Sequence, residues 1–310
     1  MRIKIVLLLL LCCRCIYAQH CLDSIPFNIE SDNRIYFKTY VNGDTIHTYK
    51  FLFDTGASTT IINSNNEDLI QRMRFTGSVL NSGASSIERV KITSDDQSLR
   101  IGEAEVVGLQ FIAIPYPKDF WDGVIGLDFF MNFNLKIDYD TQLLYLYEKN
   151  INIAPSEITG IDIKMIKKVP TLRITVWING IEYPVCLEID TGSDRVLDLN
   201  TPFVQQKKLM GKLTPFARST ITGTTLTGEL LNVFFEKIRF GDYLMPKLPG
   251  AFSTITEGVQ ATKDFDGVMG NNLLQRFNQI WDFKNMKVYF IANNRYYMPF
   301  YDFLVKNKNM

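Results

Sequence analysis

Apolar positions fall in short runs along the chain, separated by clusters of glycine, asparagine, aspartate and serine. Residues 106–114, 143–147, 172–178, 230–238 and 287–291 are rich in β-branched, aromatic and other apolar side chains, the pattern of strands. Asn42-Gly43 and Asn179-Gly180 each sit between such runs and predict β-hairpins, since a tight hairpin turn needs residues that accept positive φ. Short helices are expected over residues 66–73, 127–133 and 271–277 only. The fold class read from this pattern is all-β, with a few short helices.

The pattern is written twice. Asp122-Gly-Val-Ile-Gly126 returns as Asp266-Gly-Val-Met-Gly270, and the match runs on through Phe133-Asn134 with Phe277-Asn278, Asp138 with Asp282, and Tyr145 with Tyr289, all at an offset of 144 residues. Upstream, Phe53-Asp54-Thr55-Gly56-Ala57-Ser58 corresponds to Ile189-Asp190-Thr191-Gly192-Ser193-Asp194 at an offset of 136. Two copies of this length are too few and too long for a solenoid, so they predict two homologous β-barrel-like lobes about a pseudo-two-fold axis. Pro155, Ser156 and Gly160 interrupt the strands over residues 150–161, which sets the expected lobes at 19–150 and 151–310.

Residues 1–18 read as a signal peptide: Arg2 and Lys4, then an apolar run from Ile5 to Cys13, then Ala18. The run is far shorter than the roughly 20 residues that span a bilayer. The expectation is an exported protein, periplasmic or secreted, with lipid attachment at an early cysteine as the alternative. Losing Arg2, Lys4 and Arg14 with the leader turns an even balance of 33 basic and 33 acidic residues into a net charge of −3. That balance argues against a nucleic-acid or anionic-membrane partner. Only Cys21 and Cys186 then remain of five cysteines, which is no disulfide framework. The roughly 15 residues before a first strand near Arg34 leave room for a short terminal strand or clamp rather than a propeptide.

Histidine is scarce: only His20 and His47 exist, far from any companion. Triad hydrolases need a positioned imidazole and zinc hydrolases usually several, so hydrolysis here would have to run on carboxylates, with no metal or cofactor. The two Asp-Thr-Gly segments supply them. Each ends an apolar strand; the glycine allows a tight turn and close approach to its symmetry mate, and the threonine hydroxyl can bond across to the other lobe. Two carboxyls meeting at such an axis cannot both ionise at ordinary cost and would share a proton, an effect for which aspartic proteases are themselves the standard example.

These segments, with Gly123-Val-Ile-Gly126 and Gly267-Val-Met-Gly-Asn-Asn-Leu-Leu274, resemble the retropepsin-like and pepsin-like aspartic peptidases, once per lobe. The resemblance implies the acid-protease fold, catalytic roles for Asp54 and Asp190, interlocking Thr55 and Thr191, and an extended polypeptide substrate. Gly56, Gly192 and Ser193 are expected to support the dyad. With both aspartates in one chain, a monomer suffices.

Three departures from the family stand out. Residues 75–100 hold no flap tyrosine, and the stretches 76–86 and 220–228 could instead form two glycine-bearing flaps; Asn271 stands where an arginine often follows the glycine. Ala57 faces Ser193 in the repeat, so a Ser193 hydroxyl could bond Asp190 and favour its charged form, or simply complete a turn. Asp194 reads either as a substrate contact or as the partner of a cation such as Arg195, and Trp121 and Trp281 as packing residues. A catalytically silent peptide-binding or inhibitory module of the same fold is the alternative function, and a structural envelope protein a more distant one.

Overall fold

The computed structural model describes residues 21–222 and 227–300; the leader assigned above lies outside them. The strands form three sheets. A ten-stranded sheet belongs to the first half of the chain, an eight-stranded sheet to the second, and a six-stranded sheet is shared by both. Among the described residues, no helix is long and apolar enough to cross a membrane.

The shared sheet records the repeat in its register. Its spatial order is Cys21–Pro26, Leu143–Glu148, Phe133–Asp138, Phe277–Asp282, Lys287–Ala292 and Ile161–Asp162. At its centre Lys136 pairs with Ile280, its own repeat mate, flanked by Leu135 with Trp281 and Ile137 with Gln279. Only an axis passing between those two strands produces that exchange, so the pseudo-two-fold expected from the repeat is present. Trp281 is fully buried here, as a packing residue should be.

Both Asn-Gly turns adopt positive φ at each residue: 52° and 70° at Asn42 and Gly43, 51° and 71° at Asn179 and Gly180. The second closes a two-residue hairpin between Val169–Ile178 and Ile181–Asp190; the first opens a longer loop before Tyr49–Phe53. Helices occur at Glu67–Gln71, Leu127–Phe130 and Asn271–Leu274, inside the expected spans. Thr201–Gln206, with Pro202 in its first turn, is a helix the apolar pattern did not announce. The chain also enters the fold earlier than Arg34, because Cys21–Pro26 pairs with Leu143–Glu148 as the outer strand of the shared sheet.

One large apolar core runs through both lobes, from Phe37, Phe51 and Phe53 to Phe235, Leu273 and Phe290. It leaves a separate cluster on the opposite face of the first-lobe sheet, where Tyr36, Leu52, Ile61, Ile112, Val124 and Trp121 pack together.

Candidate active site

Each Asp-Thr-Gly loop hangs from a strand held on the same side by its Gly-Val-x-Gly segment. Tyr49–Phe53 runs parallel to Gly123–Ile125, and Ile181–Asp190 parallel to Gly267–Gly270. Matching side chains lock each pair: Asp122 accepts the Lys50 amide at 2.7 Å and Asp266 the Cys186 amide at 2.8 Å. Buried Asn63 donates to the Trp121 carbonyl, and Asn200 to the Phe265 carbonyl. The two loops are thereby presented by the same local construction.

They interlock where they meet. The Thr55 amide donates to Thr191 Oγ1 and the Thr191 amide to Thr55 Oγ1, both at 3.0 Å. The hydroxyls in turn donate across the axis, Thr55 to the Ile189 carbonyl at 2.6 Å and Thr191 to the Phe53 carbonyl at 3.1 Å. Gly56 and Gly192 let the carboxylates cross: a Cβ on Gly56 would stand 2.8 Å from the Asp190 carboxyl carbon, and one on Gly192 2.3 Å from that of Asp54. Asp54 Oδ1 accepts the amides of Gly56 at 2.7 Å and Ala57 at 3.1 Å; Asp190 Oδ1 accepts those of Gly192 at 2.8 Å and Ser193 at 3.0 Å. The two carboxyls hydrogen-bond to each other.

Burial pushes both carboxyls above the usual range, but unequally. Asp54 is raised by burial, opposed by its hydrogen bonds to Asp190 and to the Gly56 and Ala57 amides and by the charge of Arg34. Asp190 is raised well above the usual carboxylate range by burial, by the charges of Asp54 and Glu188 and by its hydrogen bond to Asp54. The two carboxyls therefore titrate as one pair. Of the two readings of Ser193, completing a turn is the one its hydroxyl makes. Its hydroxyl accepts the Arg195 amide at 3.2 Å, and its contribution to Asp190 comes from its backbone.

Residues that the motifs did not single out surround the pair. Arg34 reaches Asp194 at 3.7 Å and Asp32 at 3.7 Å, and its guanidinium lies 5.2 Å from the ring centroid of Trp121. Asp194 is thus engaged by Arg34, while Arg195 turns to Asp198. Tyr116, its ring tilted against that of Trp121 at 5.1 Å between centroids, feels the charge of Asp54 and is held above the ordinary phenol range by burial and that charge. Asn271 is buried between the lobes, accepting from the Tyr139 hydroxyl and donating to the Asn33 carbonyl, each at 2.6 Å.

The first glycine-bearing stretch is a hairpin, Phe75–Ser82 with Ile87–Thr93. Its tip crosses to the second lobe: the Val259 amide donates to the Gly83 carbonyl at 2.9 Å and the Gln260 amide to that of Ala84 at 3.2 Å. Ser85 and Ser86 are buried. Gly258, at φ 73°, lies so close that a Cβ would meet the Gly83 oxygen at 2.3 Å. The second stretch forms Ala217–Thr222 and Thr227–Phe240, with 223–226 outside the described residues.

Residues 37–129 match the aspartyl protease family. Among 425 matching solved chains is the crystal structure of an aspartic proteinase from Irpex lacteus, at TM-score 0.53 and 12% identity, covering 88% of this chain and 97% of that one. The chain has the aspartic-peptidase fold. No curated protein sequence matches it. The family match contains the first Asp-Thr-Gly loop and its supporting Gly-Val-Ile-Gly segment, and the fold likeness extends over both aspartic-peptidase lobes.

Proposed function

We propose that this protein is an aspartic endopeptidase in which Asp54 and Asp190 activate a water against a peptide bond. The observation that carries the reading is the interlocked pair of Asp-Thr-Gly loops, which brings two buried carboxyls together, both raised by burial. Asp54, ionised, takes a proton from the attacking water as the oxygen bonds to the carbonyl carbon. Asp190 gives its proton to the carbonyl oxygen as the π pair moves onto it. Collapse of the tetrahedral diol returns that proton to Asp190, and the proton held by Asp54 passes to the leaving nitrogen. Thr55, Thr191, Gly56 and Gly192 hold the geometry, and the Ser193 amide steadies Asp190.

An extended polypeptide is the expected substrate, the enzyme acts as a monomer, and the apolar leader directs it out of the cytoplasm. The test is digestion of an unfolded protein mixture by residues 19–310 between pH 3 and 8. Cleavage that a hydroxyl-bearing transition-state mimic blocks, and that Asp54→Asn and Asp190→Asn each abolish, is the expected result. A folded wild type that binds peptide but cleaves nothing would favour the silent binding module.

A further inference from the structure

The strand that ends in the second Asp-Thr-Gly carries Glu188 two residues before Asp190, so both side chains leave the same face. Its repeat mate is Leu52. From these two positions the strand pairings trace matched rows across the lobes. In the first lobe the row is Tyr36, Leu52, Val124, Ile61, Ile112 and Ile92, apolar throughout. In the second it is Thr171, Glu188, Val268, Asp198, Ala251 and Asn232.

Most polar members of the second row are satisfied from within. Asp198 receives Arg195 Nε at 3.1 Å, and Arg195 continues to the Asn232 side-chain oxygen at 2.8 Å. Thr171 donates to the Lys164 carbonyl. Glu188 is different. It is 2% exposed, its Oε2 has no hydrogen-bond partner among the described residues, and the charge acting on it is that of Asp54 rather than a cation. Its place beside Asp190 is fixed by the strand itself, since side chains two residues apart leave the same face. A buried carboxyl without a partner is costly, and an apolar residue is evidently workable there, because Leu52 occupies the equivalent place.

We infer that Glu188 is the specificity-determining acid of the cleft, receiving the ammonium or guanidinium of a substrate lysine or arginine on the second-lobe side of the scissile bond. The inference rests on the peptidase reading above. A long cationic side chain brings an apolar stem suited to Val268 and Phe265, and a donor-only head that the free Oε2 can accept. The first-lobe row, with Leu52, Ile61, Ile112 and Val124, takes an apolar side chain on the other side. The preferred bond therefore joins an apolar residue to a basic one.

Paired peptides differing only by lysine against norleucine at that position test this, as cleavable substrates and as uncleavable reduced-bond ligands. Wild type should favour lysine, and Glu188→Leu should shift the lysine-to-norleucine ratio of kcat/KM, and of affinity, by on the order of 100-fold toward norleucine. Glu188→Gln, which keeps a polar head without the charge, should fall between. Equal ratios in wild type and Glu188→Leu, in turnover or in binding, would overturn the inference while leaving the peptidase standing. Wild type that cleaves neither peptide yet binds the lysine ligand more tightly, a preference lost in Glu188→Leu, would sink the peptidase reading and retain the basic subsite. Failure of wild type to discriminate in binding would end both the subsite and its role in specificity.

Discussion

The two lobes are near copies where they build and interlock the Asp-Thr-Gly loops and unlike along the matched strand rows beside them. Asp122 and Asp266, Asn63 and Asn200, Thr55 and Thr191 make corresponding bonds in the two halves. Across the matched rows, by contrast, Leu52 faces Glu188, Ile61 faces Asp198 and Ile92 faces Asn232. Interactions that the axis makes twice constrain both copies together. Positions outside those contacts are free to diverge, so a single chain carries chemically different rows in its two lobes.

The sharpest test of the shared part is the dyad. Asp54→Asn or Asp190→Asn should lower kcat by roughly 10³-fold or more while thermal unfolding stays cooperative, since general acid or base action is then lost outright. Next comes the divergent part. Exchanging the wall residues should be asymmetric: Leu52→Glu places a carboxyl among Tyr36, Ile61 and Val124 and should cost about 3 kcal/mol in denaturant unfolding, whereas Glu188→Leu should stabilise. A loss of stability in both variants would mean that the rows are not equivalent. Thr55→Val and Thr191→Val each strand a partner amide and remove a cross-axis bond, for about 2 kcal/mol apiece, and should be non-additive because they break one network.

Smaller effects appear in pH. Arg34 holds Asp54 down, so Arg34→Gln should raise the lower apparent pKa of the dyad and move the acid limb of the kcat/KM profile toward neutrality. Glu188 is raised to about 8 in the folded state by burial and the charge of Asp54. For a carboxyl raised in this way the folded form is penalised once the unfolded chain ionises. Wild type should thus lose stability relative to Glu188→Gln as pH climbs from about 5 toward 8, and the difference should level off above that.

Much of this was legible in the sequence because symmetry doubles every signal. The offset of 144 is the register of the shared sheet, and the Asp-Thr-Gly loops announce their own contacts. The glycine-bearing stretch over 76–86 falls in a hairpin, but nothing in the sequence said that its tip would bond to residues 259 and 260, because backbone-to-backbone docking leaves little trace in side-chain pattern. Arg34 and Tyr116 lie outside the repeated motifs and come to the dyad only through tertiary packing. Glu188 was readable in principle as a charge inside the apolar run 185–189, opposite Leu52 in the repeat. Of the two readings left open for Ser193 the turn holds, because its hydroxyl accepts the Arg195 amide and the backbone serves Asp190. Thr201–Gln206 was hidden by being too short to show a helical period.

The docked hairpin tip changes the topology of access. The lobes are tied once at the interlocked threonines and again through Gly83, Ala84, Val259 and Gln260, so a polypeptide substrate held between them as proposed would be encircled rather than clamped. A linear chain can be fed through such a ring from a free end, but a loop closed by a disulfide or by cyclisation must wait for the tie to break. Cyclic and linear peptides of one sequence should differ in turnover, and Gly258→Ala, which puts a methyl against the Gly83 oxygen, should narrow that difference by loosening the tie. Cyclic and linear forms processed at the same rate would show that the ring opens faster than the chemistry it encloses.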